Sequence, residues 1–394
     1  MLPSMSRRIL PLLLLPLLAL AQATQARVLE AKIDKVTTAV ATLQGVEVRL
    51  EWPANAGQGW LRLTAKQVVA PDLGYRFERL TWECPLQRRN AGQGWLCDGE
   101  IRSAGHRPLK LALDLATANT DAELSGGEAR LSLHRNAAAP DLSRIDLVRV
   151  PVAWSQALLA QAWPAANLKG GLLGGSLDIE AADRRPLRVA GRLAVTQLAL
   201  DTPDGTTAAE GVAGRLDLDF RKSPGLSLVT VDGQLQGGEI LAGNAYLALP
   251  ATPIALNLAA RQQGSGGWEI PQFSWDDGDA MRVEGSLGFA ADASLRDADV
   301  SLHSRDIAPL RPRYLSGWLG LFGLSELQLQ GALSAHLVLQ DGEMTAAEAQ
   351  LDEISLVDAQ QRFRFEGLSG KPVYSATAPV SSALHWRGGA LQGL

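Results

Sequence analysis

The sequence predicts a mainly β protein: one long, twisted antiparallel sheet curled into a repeating groove or solenoid, with a few short helices. Three observations carry that expectation. Apolar and polar residues alternate strictly in many short runs, as in Val46-Glu-Val48-Arg-Leu50-Glu-Trp52, which is the period of a strand with one apolar and one polar face. One strand opening, Gly-x-apolar-x-apolar, recurs from Gly175-Ser-Leu177-Asp-Ile179 to Gly331-Ala-Leu333-Ser-Ala-His-Leu337, through Gly191, Gly214 and Gly285. The chain also repeats itself at an offset of 156 residues: 198–214 returns as 354–370, with Leu198 matching Ile354, Leu200 matching Leu356, and Glu210-Gly211 matching Glu366-Gly367. Such repetition extends one supersecondary solution along a continuous apolar face.

The N-terminus carries an address. Arg7 and Arg8 precede an apolar run from Ile9 to Ala21, interrupted by Pro11 and Pro16, and Ala21-Gln-Ala23 follows as a cleavage site. The run is shorter than the roughly 20 residues that a spanning helix needs, so 1–26 reads as a secretory signal peptide rather than an anchor. The segment 28–43, with Val28, Ile33, Val36 and Val40, reads as a helix. Strands begin at Val46, and Pro53 to Gly59 turns the chain. Asn55-Ala-Gly-Gln-Gly-Trp60-Leu61 returns as Asn90-Ala-Gly-Gln-Gly-Trp95-Leu96, and Arg49-Leu-Glu-Trp52 is echoed by Arg79-Leu-Thr-Trp82. Two successive hairpins are therefore expected to be built alike. Their tryptophans fit a sugar or lipid-headgroup site, and fit better as aromatic packing across the strands. Cys84 and Cys97 flank the second turn, and in an exported protein they are expected to pair as a disulfide.

Short strands continue at 109–115, 129–134 and 145–150. The segment 151–163 then changes period: Pro151 sits at a favoured first helical position and apolar residues follow at helical spacing. Its counterpart, 309–322, has Tyr314, Trp318 and Phe322 on one face. Each helix either dips into a membrane surface or, as the absence of a basic polar face favours, caps the sheet. Turns are expected at Pro203-Asp-Gly205, Asp232-Gly233 and Asp341-Gly342. The organisation expected is a signal peptide at 1–26, an N-terminal β region at 27–150, a helix-plus-sheet unit at 151–308, and a second unit at 309–394 continuing the same sheet. In the first unit roughly 70 residues follow the segment that Leu384-His-Trp386-Arg-Gly388-Gly389 resembles, so the second reads as incomplete, from a truncated gene product or a longer protein.

Chemistry is sparse. The net charge is -5, with no basic stretch to suggest nucleic acid. The five histidines, at 106, 134, 303, 336 and 385, stand singly and away from metal-ligand spacing. Asp276-Asp277-Gly278-Asp279 lacks the ligand pattern of a calcium loop and reads as a turn. Asp217 and Asp219 lie on the polar side of one strand and read as a solvated face rather than a glycosidase pair. No phosphate loop or nucleophile elbow occurs. The expectation is a protein without enzymatic activity or cofactor.

What remains is the apolar face. Roughly 20 strands at about 4.8 Å spacing would make a sheet on the order of 100 Å long. Its greasy side is either filled by its own side chains or left open to acyl chains. The signal, the Gly-x-Leu-x-Leu strands, the Pro-led helices and the Glu-Gly-Leu-x-Gly turns together resemble the AsmA-like superfamily of Gram-negative envelope proteins, and within it the YdbH type. That resemblance implies a periplasmic β-groove carrying phospholipid between inner and outer membranes, with no catalytic residues. The candidates for lining the groove are Leu193, Val195, Leu216, Leu218, Phe220, Leu333 and Leu337. The expected partners are phospholipid acyl chains and, with them, inner- or outer-membrane proteins. An alternative of another class is an assembly factor that offers its sheet edge to outer-membrane proteins by strand addition.

Overall fold

The computed structural model describes residues 27–38, 41–54, 56–89, 94–182, 185–243, 245–292 and 294–392. The expected signal peptide lies outside them. Among the described residues the protein is mainly β, with 25 strands in one antiparallel sheet. The chain divides into two compact units, residues 1–124 and 125–394, and the division falls within β7 (Asn119–Gly126).

In the first unit β1 (Arg27–Thr37), β2 (Thr42–Trp52), β3 (Gln58–Ala70), β4 (Tyr75–Arg89), β5 (Gly94–Arg102) and β6 (Leu109–Ala116) pair in chain order. The helix expected at 28–43 does not form: the described residues of its span lie in β1, the start of β2 and the turn between them. The reason is visible in the partners. Ala31 and Ile33 oppose Val48 and Val46 on one face. On the other, Lys32 meets Glu47 at 3.1 Å and Glu30 meets Arg49 at 3.1 Å. Two-residue alternation of charge, together with Val, Ile and Thr, outweighs the helical spacing of four apolar residues. The core of this unit is Trp82 with the disulfide Cys84–Cys97, packed by Leu61, Leu63, Leu86, Ile101, Leu111 and Leu113. Trp82 Nε1 donates to the Leu111 carbonyl at 3.1 Å, so its ring reaches across β5 to β6.

In the second unit the ladder runs through β8 (Ala129–Asn136), β9 (Leu142–Pro151), β10 (Asn167–Glu180), β11 (Leu187–Asp201), β12 (Thr207–Ser223) and β13 (Leu226–Gln236). It passes over a small hairpin, β14 (Glu239–Ala242) and β15 (Ala245–Ala248), to β16 (Ile254–Gln263), which pairs directly with β13. Then come β17 (Trp268–Asp277), β18 (Met281–Phe289), β19 (Leu295–Ser304), β20 (Gln328–Gln340), β21 (Glu343–Val357) and β22 (Phe363–Lys371). The short strands β23 (Val373–Ser375), β24 (Ala383–His385) and β25 (Gly388–Leu391) attach to β21 and β22. Both expected helices of this unit are present. A 3-10 turn, Val152–Ser155, leads into α1 (Gln156–Ala162), and a π turn, Arg311–Leu315, leads into α2 (Ser316–Leu321).

The 156-residue repeat is built into the backbone. Strand β11, displaced by 156 positions, coincides with β21 at both ends. Ladder irregularities fall at Val195/Leu198 and Leu198/Leu200 in the first copy, and at Leu351/Ile354 and Ile354/Leu356 in the second. Gln197 and Glu353, both at φ 53°, occupy the left-handed region at matching positions. Gly211 and Gly367 match likewise, at 71° and 67°. As β12 pairs with both β13 and β14, so β22 pairs with both β24 and β25.

Asp341-Gly342 is a two-residue hairpin turn with both residues at positive φ, 51° and 82°, the geometry that suits the right-handed strand twist. Asp232-Gly233, expected as a turn, lies inside β13. There Gly233 faces Leu216, and a Cβ would come within 2.8 Å of Leu216 Cδ2. A Cβ would also stand 2.3 Å from the Arg215 carbonyl oxygen, so close approach of β12, backbone included, explains that glycine rather than chain reversal.

The apolar face and its edge

The function of a sheet depends on what covers it. In the second unit one row of facing residues crosses thirteen strands. It starts as Leu133, Ile145, Leu177, Gly191 and Leu218. It continues through Val231, Leu258, Phe273 and Gly285. It ends with Val300, Leu337, Ala347 and Tyr374. At about 4.8 Å per strand the row is roughly 58 Å long. A second row lies beside it: Leu131, Leu147, Gly175, Leu193, Leu216 and Gly233, then Leu256, Trp275, Val283, Leu302, Ala335 and Ala349.

Outside their glycines and alanines, the residues of these rows are half-buried, except Leu337 and Tyr374, which are exposed. Most of the fully buried apolar residues of the unit gather elsewhere, in two clusters along one edge; Ala129, Val150, Val152, Ala166 and Ala298 lie outside them. Strands β9 and β19 run in the same direction, so α1 and α2, which follow them, lie on the same edge of the sheet. The β14–β15 hairpin, paired to the start of β12, joins them there. Under the hairpin, Val212, Leu249 and Ile254 form one cluster. Beside α2, Ile307, Leu310, Leu327, Leu329 and Ile354 form the other, with Ala280. Strands otherwise make extensive contact only with ladder neighbours. The edge is capped, and the mid-strand rows carry no second layer among the described residues.

A polar cluster pins the π turn and α2 to the sheet. Asp277, at the end of β17, is buried. It accepts hydrogen bonds from Arg313 Nη1 at 2.7 Å and Tyr314 Oη at 2.7 Å, and Trp275 Nε1 donates to Tyr314 Oη at 3.0 Å. Burial, then the hydrogen bond to Asp277, raises the Tyr314 phenol above its ordinary value. The first unit of the repeat has no counterpart to this cluster, since Leu158 stands 156 positions before Tyr314.

The opposite face is charged and cross-linked. Arg192 meets Asp217 at 2.8 Å, and Arg188 meets Asp219 at 2.8 Å. Hydrogen bonds from Arg188 and Arg221 hold the Asp219 carboxyl down to about 2. Recesses of about 370 to 420 Å³ lie on this polar side. In one of them His303 Nδ1 lies 2.8 Å from Ser334 Oγ. His336 lies in the same recess, with Nε2 2.7 Å from Asp299 Oδ1. Two histidines that stand alone in the sequence are thus brought onto neighbouring strands. Their partners differ, so no Ser-His-Asp relay forms. Among the described residues no group of three or more His, Cys, Asp or Glu side chains is placed to hold a metal ion.

The candidate lining residues can now be placed. Leu218 and Leu337 belong to the first row, and Leu193 and Leu216 to the second. Phe220 flanks them, opposite Val189 and Val229. Val195 faces Gly214. Leu333 packs against the α2 cluster and so lies under the capped edge. Val231, Leu258, Phe273 and Val300 share the face but were not singled out from the sequence. Alternation in their strands was the available signal, and it lacked the Gly-led opening. The Asp276-to-Asp279 segment does turn, with Gly278 N donating to Asp276 Oδ1 at 3.0 Å. Asp277, however, is an anchor for the α2 segment rather than a solvated turn residue.

No protein-family model matches the chain, and neither a curated protein nor a solved structure does. No helix among the described residues is long and apolar enough to cross a membrane.

Proposed function

We propose that this chain is an exported lipid-binding protein that holds phospholipid acyl chains on the apolar face of its second unit, as an AsmA-like groove protein would in the periplasm. The observation that supports this reading is the double apolar row, roughly 58 Å long at about 4.8 Å per strand, left without a second layer. A hydrocarbon tail laid along it removes apolar surface from water at roughly 25 cal/mol per Å², with no need for specific polar contacts. The ridge of α1, the β14–β15 hairpin and α2 bounds the rows on one side. A half-buried apolar face of this extent with no second layer over it is a candidate binding face.

The test is extraction of lipid from purified protein. The unaltered chain should yield phospholipid by mass spectrometry. The double variant Leu218→Glu, Val300→Glu should yield little, because it places two carboxylates in the first row. Both positions are half-buried and uncovered, so circular dichroism and the urea midpoint should stay close to those of the unaltered chain. Unchanged lipid in the folded variant, or none in the unaltered chain, overturns the reading.

A further inference from the structure

We propose that one end of the first unit, where β2 leads to β3 and β4 to β5, is a docking surface for a phosphate-bearing lipid bilayer. This surface is separate from the lipid-holding rows and does not depend on them. Trp52 and Trp95 meet edge to face, with ring centroids 5.5 Å apart and planes at 89°. The guanidinium of Arg88 stands over both rings, 5.6 Å from one centroid and 5.2 Å from the other. These three side chains share the face of the sheet that carries Leu86 and Cys97. Leu115, directly opposite Trp95, is 41% exposed, and Trp95 itself is 36% exposed. Trp60 lies on the other face at the same end and is 46% exposed.

The charge on Arg88 is the informative feature. Arg49, Arg62, Arg89 and Arg102, on the polar face, each meet a carboxylate. Among the described residues the Arg88 guanidinium meets two indole rings and no carboxylate. The sequence places no acidic residue between Pro53 and Gly59 or between Asn90 and Gly94. A guanidinium held extended by cation–π contact keeps its donors free, and a phosphate is the partner whose geometry and charge fit them. Indoles favour the headgroup layer of a bilayer, where one part of the ring is apolar and the other wet. Because rings stand on both faces of the same end, the occupant must surround that end. A bilayer surface does so, whereas a single lipid lying on one face would leave Trp60 unused.

Flotation of the full chain with vesicles of phosphatidylethanolamine and phosphatidylglycerol tests this, using bromine-labelled acyl chains to quench nearby tryptophan. The unaltered chain should float and be quenched. Arg88→Gln should weaken binding roughly fivefold, as expected for one cation near an anionic surface. Trp60→Ala and Trp95→Ala should each reduce both the bound fraction and the quenching. Trp318→Ala, on α2 of the other unit, and the Leu218→Glu, Val300→Glu variant should float as before, which separates this surface from the lipid-holding rows. The proposal is overturned if the unaltered chain does not float or if the Arg88, Trp60 and Trp95 variants float unchanged. Binding of dispersed short-chain phospholipid without binding to vesicles overturns it too, in favour of a single-lipid site.

Discussion

Replacing Asp277 by Ala should release the π turn and α2 from the sheet, and the structure sets the size of the effect. The carboxylate is 4% exposed and accepts from Arg313 and Tyr314. Removing one partner of a buried ion pair typically destabilises by about 3 to 5 kcal/mol, chiefly by leaving the other charge unpaired. Two features here reduce that. Arg313 keeps 21% of its side chain exposed and can turn to water. Tyr314 Oη retains the Trp275 donor. The expected loss is therefore about 3 kcal/mol, the low end of that range. Equilibrium urea unfolding of the second unit, followed by tryptophan fluorescence, measures it. A cycle with Arg313→Met should give a coupling above about 1 kcal/mol, since the two side chains share one network. A loss below about 1 kcal/mol, the scale of an exposed pair, would refute the claim that this carboxylate anchors the segment. Alkali gives a second view of the same cluster. The raised phenol of Tyr314 contributes stability that is fully present below its ordinary value near 10 and is lost as pH rises through the higher folded value. Tyr314→Phe should flatten the fall in stability above pH about 10.

Three further outcomes follow from other parts of the sheet. Asp219→Asn should reduce stability at neutral pH by about 1 kcal/mol, allowing for solvent screening at this partly exposed site. The folded carboxyl is depressed to about 2 from 3.8, so its contribution is present above pH 3.8 and is lost as pH falls towards 2. Unfolding midpoints of the two proteins should converge there. Replacing Cys84 and Cys97 together by Ser should lower the stability of the first unit by about 3 kcal/mol, the chain-entropy value for a short closed loop, read as a lower urea midpoint matched by reduced unaltered protein. Gly331→Ala should destabilise by about 2 to 3 kcal/mol, because the residue sits at φ 110° and a Cβ would lie 2.8 Å from backbone atoms of Asp352, Glu353 and Ile354. An unchanged melting temperature would show that the strands can part there.

The strands with Gly-led openings, the two Pro-led helices and the Asp341-Gly342 hairpin were legible because each depends on local periodicity or turn chemistry. The duplication was legible as sequence and holds as geometry, down to Gln197 and Glu353. What escaped depends on partners distant in the chain. The 28–43 segment has a helical spacing of apolar residues, and only its neighbour β2 shows that Glu30 and Lys32 belong opposite Arg49 and Glu47. Asp277 looks like a turn residue until Arg313 and Tyr314 arrive from 36 and 37 positions away. The candidate rows were legible as a face but not as a path. Pairing of β13 with β16, past the β14–β15 hairpin, decides that Val231 and Leu258 extend the row begun at Leu133. The same pairing logic moves Leu333 from the open rows to the α2 cluster.

The glycines within the rows explain how an uncovered face remains part of a stable fold. Gly191 lies between Leu177 and Leu218, Gly233 between Leu216 and Leu256, and Gly285 between Phe273 and Val300. Each places an empty position between two large neighbours. At each, a Cβ would meet the backbone of a neighbouring strand, 2.1 Å from Ser176 O at Gly191, 2.3 Å from Arg215 O at Gly233 and 2.0 Å from Asp299 O at Gly285; at Gly233 Leu216 Cδ2 also stands within 2.8 Å. With strands this close, the large residues on either side of each glycine are half-buried within a single layer. That arrangement recovers part of the hydrophobic stabilisation that a second layer would have supplied. A face built for a second sheet would place large residues throughout. Glycine at four of the row positions instead leaves large residues half-buried in a single layer, and this is the face on which the proposed lipid would lie.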